Sequence, residues 1–190
     1  MKSVILLIFL GLSLSGSLWS QSKYEREYRI KPEQVPVKAK DFVARLDFNK
    51  KIKWYMEESL TDTTIEAKTQ FKTKRYSVEF NSDGSLQDVE IEIEMDEIDP
   101  KIKNIITKYL NENFSSYKLK KIQLQHTGKD EAILLQLRDG IPQESVILNY
   151  ELMVKGTNKE GIQLYELLFS SAGLIKKSVV LFNNAVNLEY

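Results

Sequence analysis

Two stretches of the chain repeat apolar residues with the spacing of an amphipathic helix. The first stripe follows Pro36 and consists of Ala39, Phe42, Val43 and Leu46. The second follows Asp99, a good N-cap residue, and Pro100, which suits the first helical position. Its apolar stripe consists of Ile102, Ile105, Ile106, Tyr109 and Leu110. The sequence therefore predicts two helices, each with one buried face.

Most other apolar residues alternate with polar ones, which is the period of a half-buried β-strand. The alternation is clearest from Val89 to Met95, and the turn Asn81–Gly84 precedes it with a glycine suited to positive φ. The predicted strands are 52–56, 65–72, 75–80, 89–95, 119–125, 132–137, 146–154, 162–169 and 174–182. Each strand should bury one face and present the other to water.

A helix followed by strands occurs twice, and the two helical stripes begin 63 positions apart, at Ala39 and Ile102. This order predicts an α+β domain of two tandem helix-plus-antiparallel-strand repeats, with the helices packed on one face of an antiparallel sheet. The halves should share one core. The predicted segments are a lead-in with an edge strand at 21–34, a domain at 35–182 with repeats at about 35–96 and 98–182, and a C-terminal tail at 183–190.

Residues 127–145 have no counterpart in the first half of the chain. We expect them to form an added strand or hairpin, with a strand at Ala132–Leu137. Because a segment that interrupts a repeat is free to vary, this insertion is also the expected place for partner specificity.

The N-terminal residues 1–20 have the pattern of a secretory signal peptide. Lys2 is followed by an apolar run from Val4 to Leu14, which is shorter than the roughly 20 residues of a membrane span. Cleavage after Ser17 or between Ser20 and Gln21 fits the small residues there. The expected location is periplasmic or secreted.

Composition narrows the possible functions. The chain has 27 basic and 27 acidic residues, and this balance argues against nucleic-acid binding. It has no cysteine, which excludes disulfides, a lipid-modified N-terminal cysteine and cysteine metal sites. No membrane anchor is therefore expected after signal cleavage, and no cofactor is predicted.

The candidate binding residues lie on the polar face of the predicted sheet. Tyr55 belongs to this face because Trp54 points the other way, into the core. The predicted binding residues are Tyr55, Arg75, Glu79, Glu90, Glu92 and Glu94. Two interpretations remain open: a solvated face with weak cross-strand ion pairs, or a concave platform for a protein or peptide.

Metal binding and catalysis are not predicted. The acidic stretch from Glu90 to Asp99 runs along a strand, whereas calcium loops place oxygens around a tight turn, and Asp99 serves as a cap. His126 is the single histidine, and we interpret it as a surface residue at a strand end. No nucleophile-elbow, zinc-protease or phosphate-loop motif accompanies it.

Several short motifs occur in a fixed order. They are Val35-Pro36 with Ala39 and Phe42, Lys53-Trp54-Tyr55, Tyr76-x-Val78-x-Phe80 with Asp83-Gly84, Ile98-Asp99-Pro100, and Tyr165 to Phe169 before Ala172-Gly173. In this order they resemble the PepSY-like, β-lactamase-inhibitor-like (BLIP-like) exported domains of Bacteroidota. The resemblance covers about residues 35–182 and implies tandem helix-plus-sheet modules, an envelope or extracellular location and no catalytic residues. It does not imply β-lactamase inhibition, because no inhibitory-loop motif is matched.

The sequence thus predicts an exported, non-catalytic protein-binding module of the cell envelope, inhibitory or sensory in kind. Its partner would be an unidentified envelope or extracellular protein or peptide. One alternative is a structural envelope protein that self-associates through sheet edges. A more distant alternative is a hydrolase that uses His126.

Overall fold

A computed structural model describes residues 21–182. The predicted signal peptide at 1–20 and the predicted tail at 183–190 lie outside this range. The strands are β1 (Gln21–Ile30), β2 (Lys53–Ser59), β3 (Thr63–Phe71), β4 (Lys74–Asn81), β5 (Leu86–Glu92), β6 (Ser116–Thr127), β7 (Ile147–Asn158), β8 (Gly161–Ser170) and β9 (Gly173–Phe182). The helices are α1 (Val37–Arg45), α2 (Pro100–Asn113) and α3 (Asp130–Asp139), and a 3₁₀ turn spans Pro32–Gln34.

The nine strands form one sheet that closes on itself. Each strand from β1 to β9 pairs antiparallel with the next one along the chain, and residues 21–25 of β1 pair parallel with residues 178–182 of β9. The predicted lead-in is therefore a strand with neighbours on both sides, and its assignment to a sheet edge is wrong. It lies inside the sheet because β1 is the strand that joins the two ends.

Most of the buried apolar side chains of the strands point outward, where the helices cover them. The α1 stripe packs on β3 and β4, where the rings of Phe42 and Phe80 meet edge to face with centroids 5.9 Å apart. The α2 stripe packs on β7 and β8, with Ile106 and Leu152 both fully buried. The buried side chains form two separate clusters rather than the single shared core that we expected, because each helix covers a different part of the closed sheet.

The predicted strand at 132–137 is wrong, because this segment is helix α3. A short apolar run does not distinguish strand from helix, but Asp130 and Glu131 favour a helix start and Gly140, at φ 69°, ends it in the left-handed conformation. Ile133 is fully buried in the cluster beneath α1. The Glu131 carboxylate also forms an ion pair with Arg45 of α1 at 2.6 Å. The insertion therefore contacts the first half of the chain.

The α+β class is confirmed, with the sheet as its dominant part. The predicted N-cap is confirmed as well, since the Asp99 carboxylate accepts hydrogen bonds from the backbone N–H groups of Lys101 and Ile102 at 2.9 and 3.4 Å. Among the helices of residues 21–182, none has the length and apolar character needed to cross a membrane.

Gly156 is required where α2 meets β7. A Cβ atom at this position would lie 2.5 Å from Cδ1 and 2.6 Å from Cε1 of Phe114, the residue that caps α2. We expect Gly156→Ala to lower the free energy of unfolding by about 1–3 kcal/mol, the usual effect of overpacking, as measured by urea denaturation.

A double-mutant cycle with Phe114→Leu tests the cause. The smaller side chain should relieve the clash, so the double variant should lose less stability than the sum of the single variants. Simple additivity would contradict this account of Gly156.

Candidate functional site

The inward-facing polar side chains surround a cavity of 1210 Å³, to which all nine strands contribute. Ten of its lining residues are acidic and six are basic, so the cavity has an excess of negative charge. The acidic residues are Glu27, Glu57, Asp62, Glu66, Glu79, Asp88, Glu90, Glu92, Glu151 and Glu166, and the basic ones are Lys68, Arg75, Lys120, Lys121, Lys155 and Lys176. The polar face of the sheet is therefore the wall of a cavity rather than an open platform.

Some of these charges neutralise one another. The Lys68 ammonium lies 2.9 Å from carboxylate oxygens of both Glu27 and Glu66, and the Ser77 hydroxyl donates a hydrogen bond to Glu66. All four side chains project from β1, β3 and β4 into the cavity wall. Burial still raises the pKa of Glu27, against the opposing attraction of Lys68. This side of the wall is a compensated ion-pair network.

Glu79, Asp88 and Glu90 form a carboxylate cluster on the neighbouring wall. Glu79 of β4 is the register partner of Asp88 on β5, and Glu90 follows two residues later on the same face. One oxygen from each of the three lies within 4.8 Å of the others. Asp88 and Glu90 are only 7% and 4% exposed, whereas Glu79 remains partly open to the cavity. The cluster thus concentrates like charges in a partly dehydrated place.

The electrostatics of the cluster follow from this crowding. Burial, followed by repulsion from Glu90 and Asp88, raises the pKa of Glu79 well above its usual range. Burial and repulsion from the Glu151 and Asp88 carboxylates also raise the pKa of Glu90 well above its usual range. The attraction of Lys121 opposes this rise. It therefore offsets only part of the burial and repulsion at Glu90.

Three amide side chains from β6 and β7 surround the cluster. Gln123 Nε2 donates to Glu90 Oε2 at 2.5 Å, Gln125 Nε2 donates to Asp88 Oδ2 at 3.0 Å, and Asn149 Nδ2 donates to Gln125 Oε1 at 3.2 Å. Gln123 Oε1 and Asn149 Oδ1 are buried and accept no hydrogen bond from the described part of the chain. A buried amide oxygen without a donor is costly, which makes these two oxygens notable.

The structure brings four of the six predicted binding residues to the cavity wall, namely Arg75, Glu79, Glu90 and Glu92. Arg75 Nη1 lies 3.4 Å from Glu92 Oε2. Tyr55 is nearby, with Lys68 Nζ placed 5.0 Å from its ring centroid. Glu94 is outside the lining, because β5 ends at Glu92 and the chain turns, with the Glu94 N–H bound to Glu97 Oε2 at 2.8 Å.

Sequence reasoning missed Asp88 and the amides of β6 and β7. Gln123 and Gln125 alternate with the apolar Ile122 and Leu124, so the period-2 pattern already placed both amides on one face. The missing information was that this face lies opposite Asp88 and Glu90. Strand pairing between β5 and β6 supplies it, through the register partners Glu90 and Gln125.

His126 lies on the apolar side of β6 and is 3% exposed, so its interpretation as a surface residue is wrong. Its register partner on β5 is Val89, which belongs to the first apolar cluster. Its Nδ1 lies 3.2 Å from the Val89 carbonyl oxygen. Burial lowers the pKa of its imidazole. His126 is not among the residues that line the cavity.

No family model, curated protein or solved structure matches the chain. The resemblance to PepSY-like and BLIP-like domains therefore stays a prediction based on the order of its motifs.

The raised pKa values of Glu79 and Glu90 predict how stability depends on pH. The usual glutamate pKa is 4.5, so above that value the unfolded chain releases these protons while the folded protein retains them. The stabilisation that comes from the two glutamates is therefore complete below pH 4.5 and is lost as the pH rises through their folded pKa values. The buried His126 has the opposite pH dependence. Its pKa in the folded protein lies below 6.5, so its stabilising contribution is present above pH 6.5 and is lost as the pH falls below that value.

We expect Glu79→Gln to raise the melting temperature at pH 7.5 by several degrees in metal-free buffer and to flatten the decline in stability between pH 4.5 and 8. A neutral amide removes repulsion and can donate to a neighbouring carboxylate. Thermal melts across this pH range provide the measurement, and Glu144→Gln, at an exposed position outside the cavity, is the matched control. A lower melting temperature for Glu79→Gln at pH 7.5 would contradict the proposed repulsion.

Proposed function

We propose that this protein is an exported, non-catalytic binding module that holds a small cationic ligand inside its closed sheet. The observation that carries the proposal is the carboxylate cluster of Glu79, Asp88 and Glu90 in the wall of the 1210 Å³ cavity. Burial and mutual repulsion of these carboxylates raise the pKa of Glu79 and of Glu90 well above the usual range. A bound positive charge would offset that repulsion.

The opposite side of the cavity indicates the shape of the ligand. Met153 of β7, Leu164 and Leu168 of β8, and Val180 of β9 line it beside the charged residues. Ligand sites commonly combine apolar walls with a few polar groups that fix orientation. An alkyl amine has both properties, since its methylene groups can contact the apolar wall while its ammonium groups reach the carboxylates.

Access to the cavity is supported by the turn between β2 and β3. Leu60 and Thr61 in this turn are exposed and also contribute to the lining, so the cavity reaches the surface there. Leu60 is 78% exposed and lies at this opening.

The proposal modifies the partner expected from the sequence. A cationic segment of an envelope or extracellular protein or peptide remains a possible ligand, provided that it is narrow enough to enter the cavity. Self-association through sheet edges has less support, because every strand in the described sheet has two neighbours. Hydrolysis by His126 has no support from its position, which is buried away from the cavity.

Export and domain duplication belong to the same proposal. The N-terminal pattern supports a periplasmic or secreted location. In each half of the chain a helix precedes four strands: α1 before β2–β5, and α2 before β6–β9. This order supports a duplicated domain, although α3 interrupts the second half.

Isothermal titration with spermidine tests the proposed function. The protein, purified from cells that express the full chain, should bind spermidine and should not bind triethylene glycol, an uncharged chain of similar length. Affinity should fall as salt is raised, because the attraction is electrostatic. Glu90→Gln should weaken binding by about tenfold, the effect of losing roughly 1.4 kcal/mol from one charge-assisted contact.

The Glu144→Gln variant should bind spermidine with unchanged affinity. Glu79→Gln separates binding from folding, since it should be more stable than the wild type and yet bind the amine more weakly. Equal binding of spermidine and triethylene glycol, or unaltered affinity in both cavity variants, would refute a cationic ligand in this cavity.

A further inference from the structure

The carboxylate cluster has the donor atoms of a site for a hard divalent cation. Three carboxylates, from Glu79, Asp88 and Glu90, each offer an oxygen, and these oxygens lie within 4.8 Å of one another. They come from two adjacent strands, so their backbone positions are fixed by the pairing of β4 with β5 rather than by a loop. Calcium and magnesium both prefer oxygen ligands of this kind.

An independent observation points to a ligand beyond the acidic cluster itself. Gln123, from a third strand, is 5% exposed, and its amide group reaches the cluster through Nε2, 2.5 Å from Glu90 Oε2. Its other atom, Oε1, is buried and accepts no hydrogen bond from any residue of the described range. An amide oxygen without a donor is an available metal ligand, because a cation can occupy the lone pair that no N–H group reaches.

The donor set favours calcium over magnesium. Calcium takes about 6–8 oxygen ligands in flexible geometry, with carboxylates and amide carbonyls among them. Magnesium demands a nearly regular octahedron, keeps several of its waters and is usually held by one or two carboxylates. Three carboxylates and an amide oxygen from paired strands therefore fit the larger, geometrically more tolerant ion better.

We infer that Glu79, Asp88, Glu90 and Gln123 bind a calcium ion in the wall of the cavity. This inference rests on the proposed function in that it names an inorganic cation as an occupant of the same acidic cavity. It differs from a calcium loop, because the ligands come from positions facing one another on β4, β5 and β6. The remaining coordination positions would face the cavity, where water or a polar ligand group can complete them.

Calorimetric titration and thermal melts of metal-stripped protein test the site. Calcium should bind with a stoichiometry of one and raise the melting temperature, and magnesium should bind at least about tenfold more weakly. Asp88→Asn should weaken calcium binding by roughly tenfold or more, since it removes a ligand charge. Glu144→Gln should bind calcium like the wild type.

Two variants of Gln123 separate ligation from packing. Gln123→Leu removes Oε1 and should reduce calcium affinity while the protein stays folded. Gln123→Glu retains an oxygen at this position and adds a charge, so it should be less stable without metal and should gain more stability from calcium than the wild type does. A merely structural role for Gln123 would not produce that opposite response.

Failure of the inference and failure of the proposed function give different results. If spermidine binds but calcium up to about 10 mM neither releases heat nor shifts the melting temperature, the metal site is refuted and the cationic-ligand proposal stands. If calcium binds and spermidine does not, the metal site stands and the amine proposal is refuted. Calcium affinity that is unchanged by both Asp88→Asn and Gln123→Leu would place the ion elsewhere and overturn the inference.

Discussion

The closure of the sheet is the constraint on which the rest of this protein depends. Nine twisted strands form a closed wall because residues 21–25 of β1 pair in parallel with residues 178–182 of β9, although every other pairing is antiparallel. Closure gives the sheet an inner and an outer face. Alternate residues along each strand therefore point either into the cavity or toward the outside of the closed sheet. In this protein most apolar side chains point outward, and the inward face is mainly polar, with Met153, Leu164, Leu168 and Val180 as its apolar part.

The direction of that alternation explains the position of the helices and the character of the cavity. The outward apolar face must be hidden from water, and α1, α2 and α3 hide it by packing on the outer surface. The inward face is then free to be polar, and enough space remains for a cavity of 1210 Å³. The helices therefore make the acidic interior possible, because they provide the hydrophobic burial that the interior does not.

The cavity wall combines two kinds of electrostatic environment. Around Lys68, opposite charges and the Ser77 hydroxyl satisfy Glu27 and Glu66. Around Asp88, three carboxylates lie close together, and Gln123 and Gln125 donate hydrogen bonds to two of them. The first arrangement supports folding, whereas the second opposes it at neutral pH. Local destabilisation of this kind is typical of ligand-binding sites. Binding of the ligand to the folded protein offsets the free energy that the empty site costs.

The sequence by itself determined the elements with strong local signals. The apolar stripes of α1 and α2 and the Asp99 cap depend on neighbours close in the chain, and each was predicted correctly. The alternation around Val89 predicted β5, although the strand ends at Glu92 rather than Met95. The segment at 132–137 was assigned to the wrong element because its apolar run fits both periods. The local signals for a helix were Asp130 and Glu131 at its start and Gly140 at its end. Tertiary structure alone decided which way the polar face points, since closure depends on strands more than 150 residues apart in sequence, at 21–25 and 178–182. For the same reason, alternation could place Glu79, Glu90 and Gln123 on polar faces, but only the pairing of β4, β5 and β6 brings them to one buried site.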